Sequence, residues 1–407
     1  MKRLIRLAVA ILILHVSISA SACTTAVVSG RFTPDGRPLL LKNRDTSSFQ
    51  NRVLFVHGEA YDFIGVISSG DSTGTRIWSG VNEAGFAIMN AVSYNINHGD
   101  TASVRGRDNG TVMREALGVC ATLVDFEHFL TGMGTPIGVN ANYGVIDAHG
   151  GAAYYETGNK GFVKFDANDP NTAPFGYIVR TNYSFAGEPD RGQGYIRYET
   201  ADRLFYRAAA MNDLTPRFML EDFVRSLSHS LTEVDLADTM PSAGEVPFFV
   251  PFRDYIPRYS TASTCLIHGV GNGEDPELST MWTILGFSLC SVAVPAWVAG
   301  GETLPTMVDA DASGNAPLCV KALQLKKRCF PVTRGNGSDY LNLSAVINAQ
   351  GTGTMQLLMP LERMIFARTE EDLTRWRSEG VSKQKIANLY RWIDETVSDD
   401  FRTLYGL

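Results

Sequence analysis

The sequence lacks the local signatures of a metal site. Its 407 residues contain no CxxC pair, no HExxH motif and no cluster of histidines, which are the spacings in which zinc ligands usually occur. We therefore expect neither a metal ion nor another cofactor.

Basic charge and long apolar runs are also scarce. The chain carries 36 Lys and Arg against 43 Asp and Glu, and the basic residues form no cluster. Because phosphate recognition needs a basic surface, this composition argues against nucleic acid and anionic membranes as partners. After residue 22 no apolar run approaches the roughly 20 residues of a membrane-spanning helix, so we expect no transmembrane segment. Formation of a homo-oligomer stays open.

Cysteine is too sparse for a disulfide framework. Five of the six cysteines are left when Cys23 is set aside, which is an odd number for pairing. A chain of this size does not need such bridges. Cys319 and Cys329 are a pair that could close a hairpin.

No linker or repeat divides the chain. Hydrophobic residues make up 44% of it, which is enough for a large core, and no Pro/Ser-rich segment marks a boundary. We expect a single domain over residues 23–407, although residues from about 300 onward match no pattern that we can assign.

The first 22 residues have the pattern of a signal peptide. Basic side chains come first, residues 7–16 are apolar apart from one histidine, and the segment ends in Ala20-Ser21-Ala22. Small residues in this spacing are cut by signal peptidase. We therefore expect residues 1–22 to be removed and the protein to be exported to the periplasm or the extracellular space.

Cleavage after Ala22 would make Cys23 the first residue of the mature chain. Such a cysteine carries a thiol nucleophile and an α-amine base on one residue, two groups with ordinary pKa values of about 8.5 and about 7.7–8.0. The amine would take the thiol proton, the sulfur would attack an amide carbonyl, and the ammonium would protonate the leaving nitrogen. The alternative is a lipid anchor, since a bacterial lipoprotein signal also ends at a cysteine.

Hairpins and amphipathic helices alternate along the chain. Turn residues at 33–36, 82–85 and 149–151 each separate two short apolar segments and predict antiparallel hairpins. Apolar residues at steps of three and four predict helices. We place these helices at residues 111–130, 198–211, 216–231 and 383–396, and further strands at 177–180, 260–269, 280–286 and 291–298. Hairpins join most neighbouring strands, so we predict an α+β fold with helices outside antiparallel sheets. Residues 235–257 predict an ordered loop that could wall a pocket.

The residues around Cys23 resemble the opening of a known enzyme family. Cys23-Thr24-Thr25, followed by a hairpin and Lys42-Asn43-Arg44-Asp45, is similar to the start of choloylglycine hydrolases, penicillin V acylases and acid ceramidase. These are N-terminal nucleophile hydrolases, and they usually have arginine at the position of Lys42. The likeness continues through Gly80–Gly85 with Asn90. Thr181-Asn182-Tyr183 and Tyr195-Ile196-Arg197-Tyr198 resemble elements of the penicillin acyltransferase branch.

This resemblance implies a fold and an arrangement around the nucleophile. The fold would be an αββα sandwich, in which two antiparallel sheets lie between helical layers. Asp45 would hold Cys23 in one rotamer through a hydrogen bond from the ammonium or the thiol. Arg197 would be the counter-charge that keeps Asp45 ionised.

The resemblance also implies groups that contact the reacting amide. Asn182, with Asn90 as a second donor, would donate hydrogen bonds to the oxyanion of the tetrahedral intermediate. Lys42 or Arg44 would replace the family's arginine, since residues two apart on a strand share a face. A guanidinium can bind a carboxylate through two parallel hydrogen bonds, whereas an ammonium cannot. The substrate class therefore depends on which residue occupies this position.

Together these features predict an exported cysteine amidase. It would hydrolyse a linear, non-peptide C–N amide bond of an acylated small molecule through a thioester on Cys23. Conjugated bile salts, penicillin V, N-acyl homoserine lactones and fatty-acyl amides are candidate substrates. An acyltransferase that uses the same acyl-enzyme is one alternative. A lipid-anchored, non-catalytic binding protein with Cys23 as its lipidation site is another.

Overall fold

A computed structural model describes residues 22–100, 106–244 and 246–407. The predicted signal peptide therefore lies outside the described residues except for Ala22, which is buried beside Cys23. The described chain begins with the first strand of a large antiparallel sheet.

Seventeen strands are present in the described ranges. In chain order they are β1 (Cys23–Val28), β2 (Leu39–Asp45), β3 (Asn51–Val56), β4 (Phe63–Ser68), β5 (Ser79–Asn82), β6 (Ala87–Val92), β7 (Ala141–Ile146), β8 (Ala152–Gly158), β9 (Gly161–Asp166), β10 (Tyr177–Arg180), β11 (Ser228–His229), β12 (Val234–Asp235), β13 (Phe249–Pro251), β14 (Thr261–His268), β15 (Thr280–Leu285), β16 (Ala293–Ala296) and β17 (Tyr340–Asn342). One sheet has the order β10-β1-β2-β14-β15-β16, and the second runs from β3 to β9 in sequence order. All of their neighbouring strands pair antiparallel.

Six α-helices flank the two sheets in the described ranges. They are α1 (Asn109–Val119), α2 (Leu123–Gly132), α3 (Tyr195–Ala210), α4 (Pro317–Cys329), α5 (Thr354–Glu379) and α6 (Lys383–Tyr405). Helices α1 and α2 pack on the seven-stranded sheet, whereas α3, α4 and α5 pack on the six-stranded sheet, and α6 packs on α5. Within the described ranges, no helix combines the length and apolar character needed to cross a membrane.

The two sheets pack face to face through β1, β2, β6 and β7. Each central strand therefore meets the other sheet on one side and helices on the other, and β1 and β2 are buried at every position. The layers form an αββα sandwich, which confirms the predicted α+β fold class. Because β2 ends in the polar residues Lys42-Asn43-Arg44-Asp45, burial at this point encloses charge rather than apolar side chains.

Local turn chemistry predicted the hairpins correctly. The turns at 33–36, 82–85 and 149–151 join β1 to β2, β5 to β6 and β7 to β8. Gly85 has a φ of 76°, a left-handed conformation that favours glycine.

Several predicted helices differ from those observed. The helix predicted at 111–130 is broken into α1 and α2, because Thr122 and Asp125 form a capping box that starts a new helix. The helix predicted at 216–231 starts at residue 216 as expected but ends with the π-helical segment Phe218–Phe223, so the prediction was wrong after residue 223. The chain turns after it, and the buried side chain of Arg225 pairs with Glu362 of α5.

The proposed bridge between Cys319 and Cys329 was also wrong. Both residues lie on α4, ten positions apart, and a helix rises about 1.5 Å per residue, which holds the two sulfurs far from each other. The neighbour of Cys329 is Cys290, with 3.4 Å between the Sγ atoms. All six cysteines are free and buried.

Candidate active site

Cys23 lies at the wall of a cavity of about 650 Å³ at one end of the two sheets. It is the first residue of β1, and its side chain is only 4% exposed. The cavity contains residues from both sheets and their connecting loops. Its lining is Cys23, Lys42, Arg44, Asp45, Thr46, Ser48, Phe49, Gln50, Ser68, Gly70, Asp71, Arg76, Trp78, Asn90, Val92, Asp108 and Asn109.

Strand pairing places two basic residues on the same side as Cys23. Cys23 pairs with Arg44, and Thr25 pairs with Lys42, in the antiparallel register of β1 and β2. Residues at alternate positions of a strand share a face, and Cys23, Lys42 and Arg44 all line the cavity. Lys42 and Arg44 thus both lie on the cavity wall, and which of them replaces the family's arginine stays a prediction.

The backbone of Cys23 is held by Asn182 and Arg197. The Cys23 nitrogen donates to Oδ1 of Asn182 over 2.9 Å. Arg197 donates through Nη1 to the Cys23 carbonyl oxygen at 2.7 Å and to Oγ1 of Thr24 at 2.8 Å. Its Nη2 donates to Oδ1 of Asn182 over 2.9 Å. Asn182, Arg197 and Thr24 thus form a buried hydrogen-bond network around the backbone of Cys23, the candidate nucleophile.

The side-chain amide of Asn182 faces Cys23 with its oxygen. Its Nδ2 donates to the carbonyl oxygen of Val92 over 3.0 Å. The predicted oxyanion contact would require Nδ2 to face the substrate, whereas the observed bonds suit a group that positions the Cys23 nitrogen. The role of Asn182 toward the oxyanion stays a prediction.

Asp45 is fully buried and is bound by a cation that the sequence did not reveal. Nε of Arg258 donates to its Oδ2 over 2.7 Å, and Oγ1 of Thr261 donates to its Oδ1 over 2.7 Å. Arg197, the predicted counter-charge, makes its hydrogen bonds to Cys23, Thr24 and Asn182 instead. The direct partner of the carboxylate is thus Arg258, and the predicted contact of Asp45 with Cys23 stays a prediction.

Lys42 and Asn90 form a hydrogen-bonded pair on the cavity wall. Nζ of Lys42 donates to Oδ1 of Asn90 over 2.6 Å and to the carbonyl oxygen of Trp78 over 2.8 Å. Burial lowers the pKa of Lys42 to about 8, although the charge of a Cys23 thiolate acts in the opposite direction. Nδ2 of Asn90 makes no hydrogen bond within the described part of the chain, so it can donate to a ligand.

Arg44 and Tyr94 complete the surroundings of Cys23. Arg44 donates to Oδ1 of Asn51 and, over 3.3 Å, to Oγ of Ser68. Burial lowers the pKa of Arg44 to about 10, against the effect of a Cys23 thiolate. Burial and then the charge of a Cys23 thiolate raise the pKa of Tyr94 to about 12. The proximity of Tyr94 had no signal in the sequence.

His149 and His268, whose side chains could in principle serve as a base for a cysteine, lie elsewhere. Nε2 of His268 is 2.8 Å from Oδ2 of Asp35, and His149 lies in the turn between β7 and β8. Neither residue lines the cavity of Cys23. Neither histidine is therefore placed to act as a base for Cys23.

Residues 31–239, about half of the chain, match the family model described as acyl-coenzyme A:6-aminopenicillanic acid acyl-transferase. This range includes five of the six predicted site residues but neither Cys23 nor Arg258. The match confirms the resemblance to the penicillin acyltransferase branch. A search of curated proteins found no match.

Solved structures similar to the chain include the following three enzymes. A variant of the conjugated bile acid hydrolase from Clostridium perfringens is 13% identical, with a TM-score of 0.36 over 68% of this chain and 92% of that one. Penicillin V acylase from Agrobacterium tumefaciens is 12% identical, with a TM-score of 0.35 over 68% and 86%. The Caenorhabditis elegans ortholog of N-acylethanolamine-hydrolyzing acid amidase is 13% identical, with a TM-score of 0.34 over 48% and 86%.

Proposed function

The chain belongs to the acyl-coenzyme A:6-aminopenicillanic acid acyl-transferase family, and from this premise we propose that it is an exported amidase with Cys23 as its N-terminal nucleophile. It cleaves a linear C–N amide bond of an acylated small molecule through a thioester. Removal of residues 1–22 is the activating step, because Cys23 has no free amine before Ala22 is cut away.

The observation that carries this proposal is the hydrogen bond from the Cys23 nitrogen to Asn182 at the cavity wall. The base of the reaction must keep a fixed position relative to the sulfur. Asn182 and Arg197 supply that fixation through buried hydrogen bonds. Cleavage would convert the held nitrogen into an α-amine without moving it, and would remove Ala22 from its buried place.

The reaction then proceeds through groups that the cavity contains. The α-amine takes the thiol proton, and the sulfur attacks the carbonyl carbon. The tetrahedral oxyanion accepts a hydrogen bond from Nδ2 of Asn90. Oδ1 of Asn90 accepts a hydrogen bond from Lys42, and the amide protons of Asn90 are available to the oxyanion. The ammonium protonates the departing amine. Water, activated by the same amine, hydrolyses the thioester, releases the acid and restores the thiol.

Asp45 acts at a distance from the sulfur in this proposal. Its carboxylate fixes Arg258, and both groups lie in the electrostatic surroundings of Arg197. Arg197 in turn holds the Cys23 carbonyl and Asn182. We therefore assign Asp45, Arg258, Arg197 and Asn182 to positioning of Cys23.

Acyl transfer is the second candidate, and the family match favours it. The two activities share the acyl-enzyme and differ in whether an amine or water attacks it. The product of a reaction with an added acceptor amine, such as 6-aminopenicillanic acid, decides between them. A lipid anchor on Cys23 is the weaker alternative. A lipid attached to the sulfur would have to extend out of the protein to reach a membrane, and Cys23 is only 4% exposed.

The mass of the exported chain and the Cys23→Ser variant test the proposal. A mature protein that begins at unmodified Cys23 supports catalysis, whereas diacylglycerol on its sulfur supports the anchor. Turnover is measured with penicillin V, conjugated bile acids, N-acylethanolamines and N-acyl homoserine lactones. Cys23→Ser should abolish turnover, and Cys120→Ser, which alters a thiol far from the cavity, should retain it. Undiminished turnover in Cys23→Ser rejects the mechanism.

A further inference from the structure

Two buried cations face the cavity without a carboxylate partner. Lys42 is 2% exposed and Arg44 is 6% exposed. Among the described residues, neither one lies within ion-pair distance of an acidic side chain, and their hydrogen bonds go to neutral groups. Burying an unpaired charge is strongly unfavourable. We therefore expect that the two charges are kept side by side because they have a function in the cavity.

The buried charges around Cys23 are mostly positive. Four buried or largely buried cations surround it, namely Lys42, Arg44, Arg197 and Arg258, whereas Asp45 is the one fully buried carboxylate that the structure places among them. Asp45 is already neutralised by Arg258. Asp71 and Asp108 also line the cavity, but Asp108 forms an ion pair with Arg76 over 3.0 Å, and Asp71 accepts hydrogen bonds from Thr75 and Arg76. Among the described residues, Lys42 and Arg44 therefore have no direct carboxylate partner.

Trp78 holds these two cations in place. Its ring lies 4.4 Å from Cζ of Arg44 and 5.8 Å from Nζ of Lys42, and its carbonyl oxygen accepts from Lys42. The indole also donates through Nε1 to Oγ of Ser68, which Arg44 contacts as well. These contacts fix the direction of both cations but leave their charge uncancelled, since a π face neutralises a cation only weakly.

The charge balance changes during the proposed reaction. A Cys23 thiolate offsets one positive charge before attack. When the thioester forms, sulfur becomes neutral and this offset of the charge of Lys42 and Arg44 is lost. An anionic group on the substrate would restore the balance in a site of low dielectric, where such pairing is strongest.

We propose that the cavity binds a carboxylate of the substrate at Lys42 and Arg44, so that the enzyme acts on acylated compounds that carry an acid next to the scissile amide. This inference rests on the proposed function for its substrate class. The carboxylate can belong to the acyl half or to the amine half of the substrate, and both halves present the same chemistry to the two cations.

Alkylation of Cys23 tests the binding site without any turnover. Iodoacetate and iodoacetamide both transfer a methylene carbon to the sulfur with loss of iodide, and they differ in carrying a carboxylate or a neutral amide. In the purified protein, peptide mapping follows the rate at Cys23. We expect the rate ratio of iodoacetate to iodoacetamide to exceed that of free cysteine by about tenfold or more. A ratio equal to that of free cysteine overturns the proposal.

Variants assign the effect to the two cations. Lys42→Met and Arg44→Met should each lower the ratio toward that of free cysteine, whereas Lys42→Arg and Arg44→Lys, which keep the charge, should retain most of it. Lys164→Met and Arg203→Gln change cations outside the cavity and serve as matched controls. A ratio that stays high in both neutral variants also overturns the proposal.

Paired substrates locate the carboxylate. N-phenylacetylglycine and its glycinamide test the amine half, and the monoanilide of glutaric acid and its primary amide test the acyl half. At least one acid should be cleaved with a kcat/KM about tenfold above its neutral partner, and Arg44→Met should reduce that preference. Equal cleavage of acids and amides contradicts the inference. Failure of the proposed function is a separate result, seen as turnover that persists in Cys23→Ser, and the alkylation ratio is read independently of it.

Discussion

Cys23 and Asn182 are separated by 159 positions, yet the nitrogen of Cys23 donates to Oδ1 of Asn182 over 2.9 Å. The contact follows from strand register. Thr25 pairs with Arg180 in the antiparallel ladder of β1 and β10, so continuing the ladder by two residues places Asn182 opposite Cys23. The sheet itself therefore brings the candidate nucleophile to the residue that holds its nitrogen.

Loss of the Asn182 side chain should affect catalysis more than binding. In Asn182→Ala the Cys23 nitrogen and Nη2 of Arg197 lose their shared acceptor, and we expect kcat to fall about 100-fold, with a smaller change in KM. Steady-state kinetics of the mature enzyme measure both values. Asn171→Ala, at an exposed turn, is the control. An unchanged kcat in Asn182→Ala would contradict the positioning role.

Asp45 and Arg258 should be strongly coupled in stability. Arg258→Ala leaves a fully buried carboxylate without its cation, and we expect a loss of about 3 kcal/mol in the free energy of unfolding. Adding Asp45→Asn removes the stranded charge and should recover much of that loss. Urea denaturation of the four proteins in a double-mutant cycle gives the coupling energy. If the changes in the free energy of unfolding were additive, the ion pair would make no contribution to stability beyond that of the two separate residues.

The stability of the protein should depend on pH through Lys42. Burial lowers the pKa of Lys42 from 10.5 to about 8, so between these values the unfolded chain binds more protons than the folded chain. The free energy of unfolding therefore rises with pH across this window, and the gain is lost as pH falls through about 8. Between pH 8 and pH 10.5, the free energy of unfolding of the wild type should increase by on the order of 3 kcal/mol relative to that of Lys42→Met.

Denaturation of both proteins at several pH values between 7.5 and 10.5 isolates this effect, because all other titrating groups are common to them. Lys326 also has a pKa that burial lowers to about 8, and it cancels in the same comparison. A difference in stability that is independent of pH would place the titration of Lys42 outside this window.

Cys290 and Cys329 should form a disulfide when the protein refolds with oxidised glutathione. Their Sγ atoms are 3.4 Å apart, and exchange would convert the two thiols to a disulfide while one glutathione disulfide is reduced to two thiols. Alkylation in denaturant should then label four of the six cysteines, and peptide mapping should join 290 to 329. Cys329→Ala is the control. A bridge that involves Cys319 would contradict the observed arrangement.

Much of the sandwich was visible in the sequence because hairpins are specified locally. The turn around Gly36 and the turn ending at Gly85 each predicted the strands beside them. Local signals were also available at Thr122 and Asp125, where a capping box divides a continuous apolar pattern into two helices. Helices α4 and α5 were not predicted, whereas α6, which also lies beyond residue 300, was predicted at 383–396 from its apolar spacing.

Several residues predicted for the site lie together in the structure, whereas their contacts could not be predicted from the sequence. Lys42, Asn90 and Arg44 were named in advance, and they line one cavity with Cys23. Arg258 was missed because it is 213 positions from Asp45 and lies between the loop predicted at 235–257 and the strand predicted at 260–269. A tertiary ion pair of this kind leaves no periodic pattern, so the partner of a buried carboxylate can be found only in the folded chain.

The most direct test of the N-terminal nucleophile compares two chains that differ by one residue. One is prepared with Cys23 at its N-terminus and the other with Ala22 retained, and the rate of amide hydrolysis is measured for both with the same substrate. We predict that the first is active and that the second, whose Cys23 nitrogen is an amide without basicity, is inactive. Equal activity of the two chains would contradict the account, because it would show that the α-amine of Cys23 is not the base.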